Sequence, residues 1–191
     1  DTLDRLTAET GRVDARSAAA LGEIALNGSD EGIPTLAEIL ALTAGRTPLL
    51  IEIKDQDGAL GPDVGALERA TAEALAGYDG PVALMSFNPH SIAAVAPLCS
   101  GLPLGLTTCA YDTPHWDRVP DDRLASLKAI AEAGRVGASF ISHQHRDLHN
   151  SRVAALREQG LHILCWTIRT PQEEAAARAV AHNVTFEGYD A

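Results

Sequence analysis

Short apolar runs alternate with helical patterns along almost the whole chain, and this alternation constrains its fold more tightly than any other feature. The strand-like runs cover residues 48–53, 82–87, 104–107, 139–142, 162–168 and 184–186. Helical patterns cover residues 35–44, 64–76, 89–98, 121–133, 151–158 and 171–181. Several begin with a cap: Thr35 has Glu38 three residues on, a capping box, and Pro171 follows Thr170, which places proline at a first helical position. Gly45, Gly77, Gly134 and Gly160 fall where helix ends are expected. Strands that alternate with helices imply a parallel sheet with crossover connections. That leaves an open doubly wound sheet or a (β/α)8 barrel. No G-x-G-x-x-G or G-x-x-x-x-G-K-[ST] follows a strand, which weakens the nucleotide-binding open sheets. A complete barrel takes about 250 residues, whereas this chain has 191 and six strand candidates. Residues 1–32 read as a polar loop with a short Ala-rich stretch. If this is an α/β (β/α)8 barrel, then about its first two strands lie upstream of Asp1, and the chain is a single domain over residues 1–191 that begins mid-fold.

The most informative run is T-P-L-L-I-E-I-K, from Thr47 to Lys54. Its unbroken apolar part suits a strand buried on both faces. It ends in a carboxylate and an ammonium two residues apart, which places Glu52 and Lys54 on one side of the strand. Charges at the C-terminal end of a buried strand need a reason, and that end is where α/β folds build their sites.

Composition narrows the chemistry. A net charge of −11 argues against broad binding to nucleic acid or anionic membranes. No apolar run approaches the ~20 residues of a membrane span, and the first residues show no signal peptide. Cys99, Cys109 and Cys165 are odd in number and widely spaced, which reads as free thiols in a reducing, cytoplasmic setting, with a periplasmic or secreted origin left open. Cys165 lies within a strand and reads as core.

Five segments taken in order resemble the glycerophosphodiester phosphodiesterase family: D-T-L-D-R-L-T-A-E-T-G at the start, G-I-P-T-L-A-E-I-L from Gly32, L-I-E-I-K from Leu50, M-S-F-N from Met85 and L-C-W-T-I from Leu164. The resemblance implies a (β/α)8 barrel that hydrolyses glycerophosphodiesters to an alcohol and sn-glycerol 3-phosphate with Ca²⁺ or Mg²⁺. It also implies that the catalytic histidine pair and two metal carboxylates stand upstream of Asp1, so no catalytic residue is assigned within this chain. A small-molecule substrate is expected, with a longer natural chain or a partner copy covering the sheet edges at residues 48–53 and 184–186. The stretch V-T-F-E-G-Y-D carries Glu187 where the family has an aspartate, which leaves its role undefined.

Residue by residue, Glu52 is expected to bind the cation, since hard cations take carboxylate oxygens, with an ion pair as the plainer alternative. Lys54 is expected to meet a phosphate oxygen as a point charge. Trp166 and Phe87 are candidates for an apolar wall against glycerol, and Trp116 reads as loop packing. Asp55 and Asp57 in D-Q-D-G read as a turn. His143 and His145 form an H-x-H that a metal-dependent amide or ester hydrolase could use, against a solvated loop. His90, His162 and His182 read as structural. A non-catalytic phosphodiester-binding barrel is the remaining alternative.

Overall fold

The computed structural model describes residues 2–112 and 114–190. Two compact units emerge, one of residues 1–48 and 73–81, the other of residues 49–72 and 82–191.

The first unit is built mostly from turns. Isolated antiparallel bridges join Thr2 to Arg12, Thr7 to Leu26 and Ala25 to Gly32. The Thr7 hydroxyl donates to the Leu3 carbonyl at 3.0 Å and accepts from the Glu9 amide at 3.1 Å, a local closure in place of a strand. The Ala-rich stretch forms a one-turn helix, α1 (Ala18–Gly22), capped by Ser17. Helix α2 (Leu36–Thr43) starts at the expected capping box of Thr35 and Glu38 and ends through Ala44 and Gly45, both left-handed.

The second unit holds all six strands: β1 (Leu49–Glu52), β2 (Val82–Ser86), β3 (Leu104–Thr108), β4 (Phe140–Gln144), β5 (His162–Ile168) and β6 (Asn183–Phe186). They pair in parallel in the order of the sequence, a half-barrel. Between them run α3 (Ala66–Leu75), α4 (Pro89–Val95), α5 (Asp121–Lys128), α6 (Ser151–Glu158) and α7 (Pro171–Ala177). The expected elements are present. Helix α5 stops at Lys128 because Ile130 turns left-handed, so Gly134 lies beyond the helix end rather than capping it.

Register sorts the strand residues onto two faces. Leu84, Leu106, Ile141, Ile163 and Cys165 share one face and are fully or almost fully buried. Helix α4 packs on β2 and β3, and α6 and α7 on β5, so this is the helix-covered face. The opposite face carries Glu52, Met85, Gly105 and Phe140, aligned across four strands, and further along Phe87, Thr107, Ser142 and Trp166. We call it the open face. A Cβ at Gly105 would stand 2.2 Å from the Phe140 ring, so only glycine leaves that ring its place. Strand β1 departs from its expected burial on both faces: Leu50 is 38% exposed. The cause is position, since β1 and β6 are the two edges of the sheet among the described residues.

Candidate functional site

Glu52 is the last residue of β1, and Lys54 follows it on the same side. The Lys54 ammonium stands 3.0 Å from Glu52 Oε1, with the lysine side chain 53% exposed and the glutamate 21%. Oε1 itself is buried and lacks a hydrogen bond of good geometry. The contact is thus a charge pair that leaves the oxygen's lone pairs undirected. A buried carboxylate oxygen in that condition is an incomplete arrangement. It fits one oxygen ligand of a hard divalent cation. No group of three or more histidine, cysteine or acidic side chains that could hold a metal occurs among the described residues. Glu52 could therefore supply one ligand of such an ion, and the others would have to come from groups outside this set.

An aromatic cluster stands at the same ends of the strands. The Phe87 ring lies 5.2 Å from Trp116, 5.5 Å from Trp166 and 6.5 Å from Tyr111, and Trp116 lies 4.8 Å from Tyr111. Phe87 and Trp166 meet edge to face, the arrangement favoured by ring quadrupoles. The Trp166 indole N–H donates to the Ser142 carbonyl at 3.0 Å, which fixes the plane of the ring. All four rest on Leu60, Cys109, Val119 and Leu127, and three of the four remain half-buried. Trp116 was expected only to pack its loop, and it joins Phe87 and Trp166 in one wall. Tyr111 went unread in the sequence because it lies past the end of β3, beyond the reach of strand periodicity. Burial pushes its phenol far above the usual range. Two hydroxyls on the open face, Thr107 and Ser142, are buried without partners.

Both Asp55 oxygens serve the loop: Oδ1 accepts from Asn88 Nδ2 at 2.8 Å, and Oδ2 accepts from the Gly58 and Leu60 amides at 2.7 and 3.3 Å. Asp57 accepts from the Ala59 amide at 2.8 Å. The D-Q-D-G turn is as expected, with no oxygen of Asp55 left over.

The H-x-H pair does not form a metal site. His143 lies on the helix-covered face, paired across the sheet with Thr108 and Cys165. Its Nδ1 is 2.8 Å from Thr108 Oγ1 and its Nε2 3.0 Å from Asp147 Oδ2, so both nitrogens are engaged. Burial lowers its pKa, against the pull of Asp147. Strand β4 ends at Gln144, and His145 opens a 3-10 turn, His145–Asp147. Alternation along a strand cannot bring the two rings together once the second has left it. This removes the residue basis for the amide or ester hydrolase. Glu187 forms an exposed ion pair with Arg169 at 2.8 Å. His162 and His182 pack ring to ring at 5.3 Å, and His182 Nδ1 accepts from the Ile163 amide, a structural role as read.

A parallel half-barrel with an acid–base pair and an aromatic wall at the C-terminal ends of its strands belongs to the class of barrel proteins that build their sites there. The chain belongs to the glycerophosphoryl diester phosphodiesterase family, whose model matches residues 1–185. Among solved structures it resembles an Oleispira antarctica phosphodiesterase in complex with the product sn-glycerol-3-phosphate, with a TM-score of 0.73 at 19% identity, covering 97% of this chain and 72% of that one. It also resembles a Thermotoga maritima glycerophosphodiester phosphodiesterase, with a TM-score of 0.66 at 15% identity, covering 96% and 71% respectively. At these identities the likeness carries the fold. No curated protein matches the chain. No helix is long and apolar enough to cross a membrane among the described residues.

Proposed function

We propose that this chain carries one wall of a metal-dependent glycerophosphodiester phosphodiesterase, which releases an alcohol and sn-glycerol 3-phosphate. The observation that supports it is Glu52 Oε1, buried without a hydrogen bond beside a half-exposed Lys54. In this reading Glu52 holds a Ca²⁺ or Mg²⁺ ion together with carboxylates outside the described residues. A cation so placed would offset the substrate's negative charge. Lys54 Nζ donates to a non-bridging phosphate oxygen and stabilises the charge that gathers there. Phe87 and Trp166, flanked by Trp116 and Tyr111, cover the glycerol carbons and exclude water. The acid and base of the family resemblance are two histidines outside this chain. Two further strands between β6 and β1, from a longer chain or a partner copy, would close the barrel, and the open edges and the 72% coverage of the Oleispira structure support that reading. The family match across residues 1–185 supports one domain. A cytoplasmic site of action is supported by three buried free thiols.

The test is release of glycerol 3-phosphate from glycerophosphocholine, with and without EDTA, by the chain in its natural length. Turnover that EDTA abolishes supports the reading, and turnover indifferent to EDTA removes the cation. Tight binding without turnover would favour a phosphodiester-binding barrel.

A further inference from the structure

We propose that Asn88 is a positioning residue for the Lys54 ammonium, acting through a bracket that ties the end of β2 to both neighbours of that lysine. The inference rests on the reading above, in which Lys54 meets a phosphate.

Asn88 is fully buried, and each of its polar atoms is engaged. Its Nδ2 donates to Asp55 Oδ1 and to the Gly61 carbonyl, both at 2.8 Å. Its Oδ1 accepts from the His90 amide at 2.9 Å and caps α4. Its backbone amide donates to Ser86 Oγ at 3.0 Å, and Ser86 Oγ donates in turn to the Ile53 carbonyl at 2.7 Å. The Ile53 amide donates to the Met85 carbonyl at 2.8 Å.

These bonds converge on the two residues that flank Lys54. Ile53 is held by its amide and its carbonyl, and Asp55 by both carboxylate oxygens. Lysine is a flexible four-carbon stem, so the protein can direct its charge only by fixing where the stem starts. With Ile53 and Asp55 fixed, the Lys54 backbone is fixed between them, and the side chain leaves on the side where Glu52 stands. The alternation of S-F-N completes the device: Ser86 and Asn88 point to the bracket, while Phe87 between them joins the aromatic wall. One tripeptide thus aligns the apolar wall with the cation. Among the described residues the Lys54 side chain has one charged contact, Glu52, so the bracket sets the start of the stem and Glu52 meets its end.

Two exchanges at the bracket test the idea. Asn88→Asp keeps the shape and the helix cap but turns the Nδ2 donor into an oxygen facing Asp55. Asp55→Asn is the gentler change, at a half-buried position. The double exchange Asp55→Asn with Asn88→Asp restores the bond between positions 88 and 55 with its direction reversed, while the bond to the Gly61 carbonyl stays lost. The chain has two lysines, Lys54 and Lys128, so the Lys54 Cε signal in an NMR spectrum has a built-in control. That signal should move in Asn88→Asp or, where that variant does not fold, in Asp55→Asn, and return in the double exchange, with Lys128 unmoved throughout. Affinity for sn-glycerol 3-phosphate should fall about tenfold in the single variants, recover in part in the double exchange, and show no effect of Asn88→Asp in a Lys54→Ala background. A Lys54 signal that stays in place in folded single variants overturns the proposal, as does unchanged affinity. A moving Lys54 signal in a protein that binds no glycerol 3-phosphate at all would uphold the bracket and sink the phosphodiesterase reading instead.

Discussion

Two acid–base pairs stand at the C-terminal end of the same sheet, on opposite faces. On the helix-covered face, His143 sits between Thr108 and Asp147, its side chain 1% exposed, and Asp147 also accepts from Asn150 at 3.0 Å. Every polar atom of the imidazole has a partner, and solvent is excluded. On the open face, Glu52 and Lys54 touch at 3.0 Å, yet Oε1 has no hydrogen bond and the ammonium is half in water. In the first pair the imidazole is fully engaged and has no nitrogen left to offer a ligand. The second is incomplete, and a charged group held in an unfinished environment can exchange its partner for a substrate or an ion. Two clusters with similar side chains therefore divide into structure and site by how fully they are satisfied.

The sharpest way to break this division is Glu52→Gln. We expect a loss of roughly a hundredfold or more in EDTA-sensitive turnover, in line with removal of one electrostatic stabiliser, and a melting temperature close to that of the wild type. Full activity would end the metal assignment. On the other face, His143→Ala should cost about 2–4 kcal/mol in urea unfolding, because it leaves a cavity and strands Thr108 and Asp147 without partners. Glycerol 3-phosphate release per folded molecule should change less than twofold; a larger loss would make the sealed pair part of the machinery. Lys54→Met should raise KM for glycerophosphocholine about tenfold, the scale of one hydrogen bond to a charged group. The smallest effect concerns pH. Burial holds the His143 imidazole below its usual range, so the unfolded chain takes up its proton first as pH falls. The stability it contributes is intact above about pH 6.5 and is lost as pH drops through the lowered folded value. Urea midpoints measured from pH 8 to 5 should fall more steeply in the wild type than in His143→Gln.

Periodicity made the framework legible. β5 and α6 begin and end where the apolar runs and caps placed them, and the Asn150, Thr170 and Thr35 side chains start helices through local chemistry that a sequence displays. Glu52 and Lys54 were legible for the same local reason, a spacing of two on a strand. What stayed hidden depended on partners distant in sequence. Leu50 sits in an apolar run, and nothing in that run reveals that β1 lies at the edge of the sheet. His143 and His145 look equivalent until β4 ends between them. Asn88 and Ser86 read as one end of a motif, and their reach to Asp55, Gly61 and Ile53 spans 27 residues or more along the chain. Trp116 joins the wall through contacts with Phe87 and Tyr111 that only folding creates.

At Gly105 strand β3 contributes no side chain, and the Phe140 ring from β4 occupies the space. One ring thus fills the open face in the same row as Glu52, two residues short of the level of Phe87. A methyl group at residue 105 would push the Phe140 ring out of that row, so a change on β3 that removes no polar group would still be felt at the level of the charge pair.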